Sequence, residues 1–212
     1  IYNGVPNHAV YLTADQKKMK RTKLNLPQNA FVIIHVGGMV AWRDQSVIIR
    51  ALKQCIETGI NAYLVFVGDG PLRQQLELQS LQLGMSQQIR FLGYRSDIPE
   101  LNAMSDVFVN MAREEGFGIA VVEAMQAGLP VVLADAGALP ELIEDGVSGL
   151  LVPPGDSDAL ASALITLAEN PGRAQLIREA VRKRAENKFS IQRYAREMEN
   201  VYIEAVKGYY TN

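Results

Sequence analysis

Apolar residues recur along this chain in two alternating patterns. Short, nearly unbroken apolar runs stand at residues 31–37, 62–68, 89–92, 106–111, 130–134 and 149–152, several of them rich in Val, Ile or Phe. Each predicts a strand covered on both faces. Between them, apolar positions three and four apart predict helices over 45–57, 71–83, 98–104, 117–127, 139–143 and 158–169. Two longer helices follow, over about 172–187 and 191–207, with Pro171 and Ser190 as start signals. The last carries Tyr194, Met198, Val201, Tyr202 and Ala205 at helical spacing, a stripe that needs a partner surface. Strand–helix alternation of this kind implies an α/β chain with a parallel sheet of about six strands, helices on both faces, and ligands at the carboxyl ends of the strands. Gly37, Gly68, Gly93, the turn after Met111 and Glu115 all fall on that rim.

Composition narrows the class. A chain of 212 residues with 48% hydrophobic and 21% charged residues is ordinary for a globular protein with a sizeable core. A formal net charge of -2 and a pI near 5.8 argue against nucleic-acid binding, so any anionic ligand must be held by local groups. The single cysteine, Cys55, excludes an internal disulfide and sits in an apolar helical run as a core residue, in keeping with a reducing cytoplasm. No apolar run is long enough to cross a bilayer, and no signal-peptide pattern is present. The chain starts at Ile1-Tyr2-Asn3-Gly4-Val5-Pro6 without a methionine, which reads as the interior of a longer protein. The basic clusters 17–23 and 182–188 read as solvated faces, with peripheral contact at the inner face of a membrane as the alternative.

Candidate chemistry concentrates at Glu115-Gly116-Phe117-Gly118-Ile119-Ala120-Val121-Val122-Glu123. Gly116 and Gly118 allow a tight turn and close backbone approach, and a helix opening there aims free N–H groups and its positive dipole end outward, as a phosphate seat requires. Glu115 and Glu123 lie roughly 10 Å apart along such a helix, too far to share a proton and well spaced to bind hydroxyls at two ends of one elongated ligand. A solvated position for Glu123 and a plain charged loop for Glu115 are the bland alternatives. The former conflicts with the scarcity of polar neighbours on that helix. Gly68-Asp69-Gly70-Pro71 lacks the third glycine of a dinucleotide fingerprint, and Pro71 suits the first helical position. His8 and His35 are not spaced with cysteines or carboxylates as metal ligands, so no metal site is expected; His35, inside a strand, reads as core. No Ser-His-Asp or Cys-His arrangement stands out.

The Glu115–Glu123 stretch, with Ala127-Gly128-Leu129-Pro130-Val131-Val132 behind it, resembles the donor-binding signature of retaining nucleotide-sugar glycosyltransferases of the GT-B fold, a family that includes the glycogen synthases. The resemblance extends from Asn3 to about Tyr202. It implies a Rossmann-like domain forming the C-terminal half of a GT-B enzyme: a hinge-proximal segment at 1–24, the donor-binding domain at 25–188, and a terminal helix at 189–212 that crosses to an N-terminal acceptor domain, or else packs on its own. It implies that Glu115 contacts the donor sugar, Glu123 the ribose, and the amides around Gly116, Phe117, Gly118 and Ile119 the diphosphate. The turn Gly37-Gly38-Met39-Val40-Ala41-Trp42-Arg43-Asp44-Gln45 resembles the family's phosphate loop. Arg43 occupies a usual lysine position, and Gly38 replaces a usual arginine. Arg113 or Arg95 would supply the missing charge; Arg43 as a surface arginine beside Asp44 is the alternative. Gly93-Tyr94-Arg95 matches the loop that meets the base, and Glu141, in Gly137-Ala138-Leu139-Pro140-Glu141, would orient a cation or an amide. By this resemblance the activity is transfer of sugar from a UDP-, GDP- or ADP-sugar to an acceptor glycan, lipid or small molecule, without a cofactor. Rival readings are a GT-B sugar-nucleotide epimerase and a non-catalytic nucleotide-sugar binding module.

Overall fold

The computed structural model describes residues 1–210, with side chains as far as Lys207. Among these residues six strands form one parallel sheet: β1 (Phe31–Val36), β2 (Ala62–Val67), β3 (Ile89–Phe91), β4 (Val107–Asn110), β5 (Val131–Ala134) and β6 (Leu150–Val152), in the order β3-β2-β1-β4-β5-β6. All six expected strands are present, each trimmed by a residue at one or both ends. Every residue of β4 and β5 is buried, as expected for strands covered on both faces. Phe66 and Phe108 anchor the core, and full burial of such a side chain contributes about 1.5–3 kcal/mol.

Helices clothe both faces. α2 (Gln45–Glu57), α3 (Arg73–Gln82) and α7 (Ser157–Glu169) pack together on one side; α1 (Ala14–Lys23), α4 (Ile98–Met104), α5 (Ile119–Gln126) and α8 (Pro171–Phe189) line the other. The short α6 (Leu139–Leu142) closes the end of β5. β1 and β4 are neighbours, Ile33 opposite Val107 and Ile34 opposite Phe108, yet their following loops turn toward opposite halves of the sheet. That reversal leaves a crevice outside their carboxyl ends.

Several expectations need correction. The basic cluster 17–23 is not simply a solvated face: it lies in α1, capped by Thr13 and Gln16, and its Arg21 is buried. Arg21 donates to the carbonyls of Met104, Gln28 and Ala30 and pairs with Asp106 at 2.7 Å, tying α1 beneath the sheet. Pro71 does not open a helix. Leu72 N–H bonds the Met39 carbonyl at 3.1 Å, which holds residues 70–72 in a turn until α3 starts at Arg73. α5 starts at Ile119 rather than Phe117, because Gly118 adopts the left-handed region with φ +91°.

α9 (Ile191–Tyr210) follows α8 directly. Tyr194 and Met198 of its stripe are half-buried, whereas Val201, Tyr202 and Ala205 are exposed. Thr211 and Asn212 of the expected terminal segment lie outside the described residues. The first residues run back along α8 and α9: Val5 N–H bonds the Phe189 carbonyl at 2.8 Å, Gln126 donates to the Val5 carbonyl, and Tyr2 meets Phe189 edge-on. No described helix is long and apolar enough to cross a membrane.

Candidate functional site

Two loops meet above the β1–β4 crevice. The first leaves β1 through Gly37 and Gly38 and makes a 3₁₀ turn at Ala41–Arg43; Asp44, with φ 50°, then starts α2. The turn is pinned from the β2 side, where Gly37 N–H bonds the Val67 carbonyl at 2.9 Å and Met39 N–H the Asp69 carbonyl at 3.0 Å. Gly68 and Gly70 permit this approach, since a Cβ on either would stand 2.2 Å from the Gly37 carbonyl oxygen or 2.5 Å from that of Met39. The family-like Gly-Asp-Gly-Pro turn thus buttresses the first loop.

The second loop runs from Asn110 through Glu115 to Gly118. Arg43 Nη1 donates to Glu115 Oε2 at 3.2 Å, and Asn110 Nδ2 lies 3.5 Å from the same oxygen. Both partners are substantially covered, with side chains 24% and 14% exposed, so the pair is not a loose surface contact. Behind it, Ala138 N–H holds the Glu115 carbonyl at 2.9 Å, and Gly137, with φ +56°, lies so close that a Cβ would stand 2.8 Å from Glu115 N. A second ion pair crosses beside the first: Arg113 grips Asp44 at 2.8 Å, and its N–H bonds the Trp42 carbonyl at 2.7 Å.

This geometry sorts the expected site residues. Gly37, Gly38, Arg43, Glu115, Gly116 and Gly118 lie on the two facing loops, and Arg43 is paired with Glu115 rather than with Asp44. A Cβ on Gly37 would stand 2.9 Å from Nη1 of Arg43, so a larger residue there would have to move that guanidinium. Gly118 caps α5 without any side-chain hydrogen bond, and its carbonyl is reached by the N–H groups of Val121 and Val122. Ile119, exposed, and Ala120 therefore head a helix whose first amides face out without a side-chain cap. Phe117 meets Phe189 edge-on at 5.9 Å, so its side chain serves packing.

Glu123 sits on α5 beside a cavity of about 20 Å³ that it shares with His8, Ile98, Pro99, Asn102 and others. It accepts no hydrogen bond from another described residue, and burial raises its pKa, opposed in part by His8. Arg95 is not joined to the Arg43–Glu115 pair. Asp97 holds it in a two-pronged bond at 2.8 Å on each side, and this partner keeps the Asp97 carboxyl well below the usual range. Arg113, committed to Asp44, is mostly exposed. Glu141 does not orient a cation or an amide through its carboxylate: it faces the Tyr2 hydroxyl, because the start of the chain folds back across α6. No described cluster of three or more His, Cys, Asp or Glu is placed to hold a metal.

Asn110, Asp44 and Gln45 were not legible as site residues. A polar residue ending the apolar run Val107-Phe108-Val109 was the available signal for Asn110. Asp44 and Gln45 stood within the phosphate-loop turn, but nothing in the sequence marked their partners, Arg113 for the first and Gly38 and His35 for the second.

Sequence and structure point to one family, and residues 16–184 match its model, described as glycosyl transferases group 1. The chain belongs to that family. An uncharacterized glycosyltransferase of Methanocaldococcus jannaschii is 32% identical over 98% of this chain and 54% of its own length. Among solved structures, HepE of Anabaena, in complex with UDP and glucose, superposes with a TM-score of 0.87 at 32% identity, covering 95% of this chain and 55% of HepE. The C-terminal domain of LpcC, a glycosyl transferase group 1 protein of Francisella tularensis, superposes with a TM-score of 0.76 at 25% identity over 89% of this chain and all of that one. The chain thus spans about half the length of the full-length relatives it matches and corresponds to the C-terminal domain of a GT-B enzyme.

Proposed function

We propose that this group 1 glycosyltransferase domain binds the nucleoside diphosphate sugar of a retaining sugar transfer, with the acceptor held by an N-terminal domain. The observation that carries the reading is the Arg43–Glu115 pair set beside the uncapped start of α5 at the sheet's reversal point. A diphosphate seated between them would receive the helix amides on one side and the Arg43 guanidinium on the other, and both stabilise charge on the departing group. Glu115, already oriented by Arg43 and Asn110, would take hydroxyls of the sugar. Glu123, half-buried and without a hydrogen-bonding partner, would take the ribose. Arg43 would then serve two anions, so diphosphate binding would also loosen its hold on Glu115. Support for UDP as the first nucleotide to test comes from HepE, which is seen with UDP and glucose. The exposed apolar residues Val201, Tyr202, Ile203 and Val206 of α9 support a terminal helix that covers them against the acceptor domain.

The test is calorimetric titration of the chain with UDP-, GDP- and ADP-sugars. One of them should bind, and Arg43→Ala should weaken it. Failure of all three to bind the folded chain would overturn the reading.

A further inference from the structure

Beneath the phosphate loop lies a buried polar chain that neither the family signature nor the ion pairs use. Gln45, the first residue of α2, and His35, in β1, are each 1% exposed. Gln45 Nε2 donates to the Gly38 carbonyl at 2.7 Å and lies 3.4 Å from His35 Nε2; His35 Nδ1 lies 2.9 Å from the Val109 carbonyl. Only one arrangement of protons satisfies these contacts. The Val109 carbonyl accepts and cannot donate, so Nδ1 carries the proton; Nε2 is then an acceptor and must face the amide NH₂ group. The Gly38 carbonyl imposes the same orientation on Gln45, because a flipped amide would set two acceptors against each other. Burial favours the neutral ring that this requires, lowering the His35 pKa to about 4. The cost falls on Gln45 Oε1, which is buried with no hydrogen-bond partner. An apolar side chain would remove that orphan but strand the buried His35 Nε2 and take a donor from the Gly38 carbonyl, so the amide is kept for the two groups it reaches.

We infer that Gln45 is a positioning residue for donor binding: through His35 it locks the Gly37–Gly38–Met39 turn onto β4 and holds the loop's open side to the diphosphate. The inference rests on the donor-binding reading above. The chain of bonds ends at Val109, next to Asn110, which itself reaches Glu115. Gln45 and His35 thus couple the phosphate loop and the sugar-facing loop from below, while Arg43 and Glu115 couple them from above. Removing the lower link should leave the fold intact and loosen the Gly38 carbonyl, which would keep only the Val40 N–H at 3.1 Å. That loss should fall on the diphosphate and spare the nucleoside.

The experiment compares the parent chain with Gln45→Met, close in shape and unable to donate, and with His35→Leu, which removes the acceptor. UDP is titrated by calorimetry and uridine by NMR shift perturbation. Gln45→Met should lose roughly tenfold in UDP affinity, about the worth of one such hydrogen bond, with uridine binding unchanged; His35→Leu should move in the same direction. Equal loss for both ligands, or UDP binding within twofold of the parent in both variants, would overturn the inference. Two readouts need no nucleotide and so separate it from the donor reading. Nitrogen chemical shifts should show His35 neutral with its proton on Nδ1, and amide exchange at Gly38 and Met39 should quicken in Gln45→Met while the thermal midpoint holds. A parent that binds no nucleotide but shows both signatures would leave the loop lock standing and remove the donor reading. An Nε2-protonated His35, or unchanged exchange at Gly38 and Met39, would sink the lock itself.

Discussion

An added Cβ at Gly37 meets Arg43 Nη1 at 2.9 Å, whereas at Gly38 it meets only the Asp69 carbonyl oxygen, at 3.7 Å. Neighbouring glycines therefore carry opposite expectations. Gly37→Ala should displace the Arg43 guanidinium and weaken nucleoside diphosphate binding. Gly38→Arg has room and no left-handed backbone to strain, so it should tighten that binding, with the gain shrinking as salt is added. Titrations at low and high ionic strength check both; a Gly38→Arg variant no tighter than the parent would show that this loop does not face the diphosphate. Glu123 tests the ribose. Glu123→Ala should weaken nucleotide binding by about 1.5–3 kcal/mol, the range for a hydrogen bond to a charged group, in calorimetric titration of the folded variant. Its burial has a stability signature as well. With the folded pKa raised above the ordinary 4.5, the native state keeps a proton that the unfolded chain releases, so this group's contribution falls as pH rises through that window. Glu123→Gln should then be more stable than the parent at pH 7, with the advantage gone in acid. Urea melts at several pH values would show it, and an advantage independent of pH would contradict it. Glycine spacing and the two glutamates made this cluster legible in the sequence. Which carboxylate would be paired and which left open was not, because that depends on the cation that arrives from another loop.

At the scale of elements, α5 and α1 show what periodicity carries and what it omits. The α5 run Ile119-Ala120-Val121-Val122 reads as a buried helix in any context, and the left-handed preference of glycine at 118 sets its start. α1 carries only basic and polar residues in 17–23 apart from Met19, so no apolar stripe marks its buried face. Its anchor is a charge: Arg21, 5% exposed at the side chain, pairs with Asp106 and caps three carbonyls. Removing one partner of such a buried pair strands the other, so Arg21→Ala should cost about 3 kcal/mol or more in urea unfolding. Lys17 pairs with the same Asp106 at 3.2 Å but is 34% exposed, and Lys17→Ala should cost within about 1 kcal/mol. Similar losses for the two would mean that burial does not set the strength of these pairs.

For the whole molecule, the donor reading predicts binding without turnover. The phosphate loop, the α5 amides and both glutamates lie within 37–123, so the chain alone should bind the nucleotide sugar, and EDTA should leave that binding intact. Transfer should require the acceptor domain, which aligns the reacting hydroxyl and excludes water when the cleft closes. Chromatography for product, with and without that domain, decides the matter; robust transfer by this chain alone would place the acceptor site within it. The features legible from the sequence alone are local ones: six strands and most helix limits follow from side-chain spacing within a few residues, and the glycine turns follow from backbone freedom at single positions. Tertiary structure alone decided the pairings across the site. Arg43 and Glu115 are 72 positions apart, Arg21 and Asp106 85, and His35 and Val109 74. Each pair meets because the order β3-β2-β1-β4-β5-β6 sets β1 beside β4. Side-chain periodicity records which face of an element is buried, and not which other element will cover it.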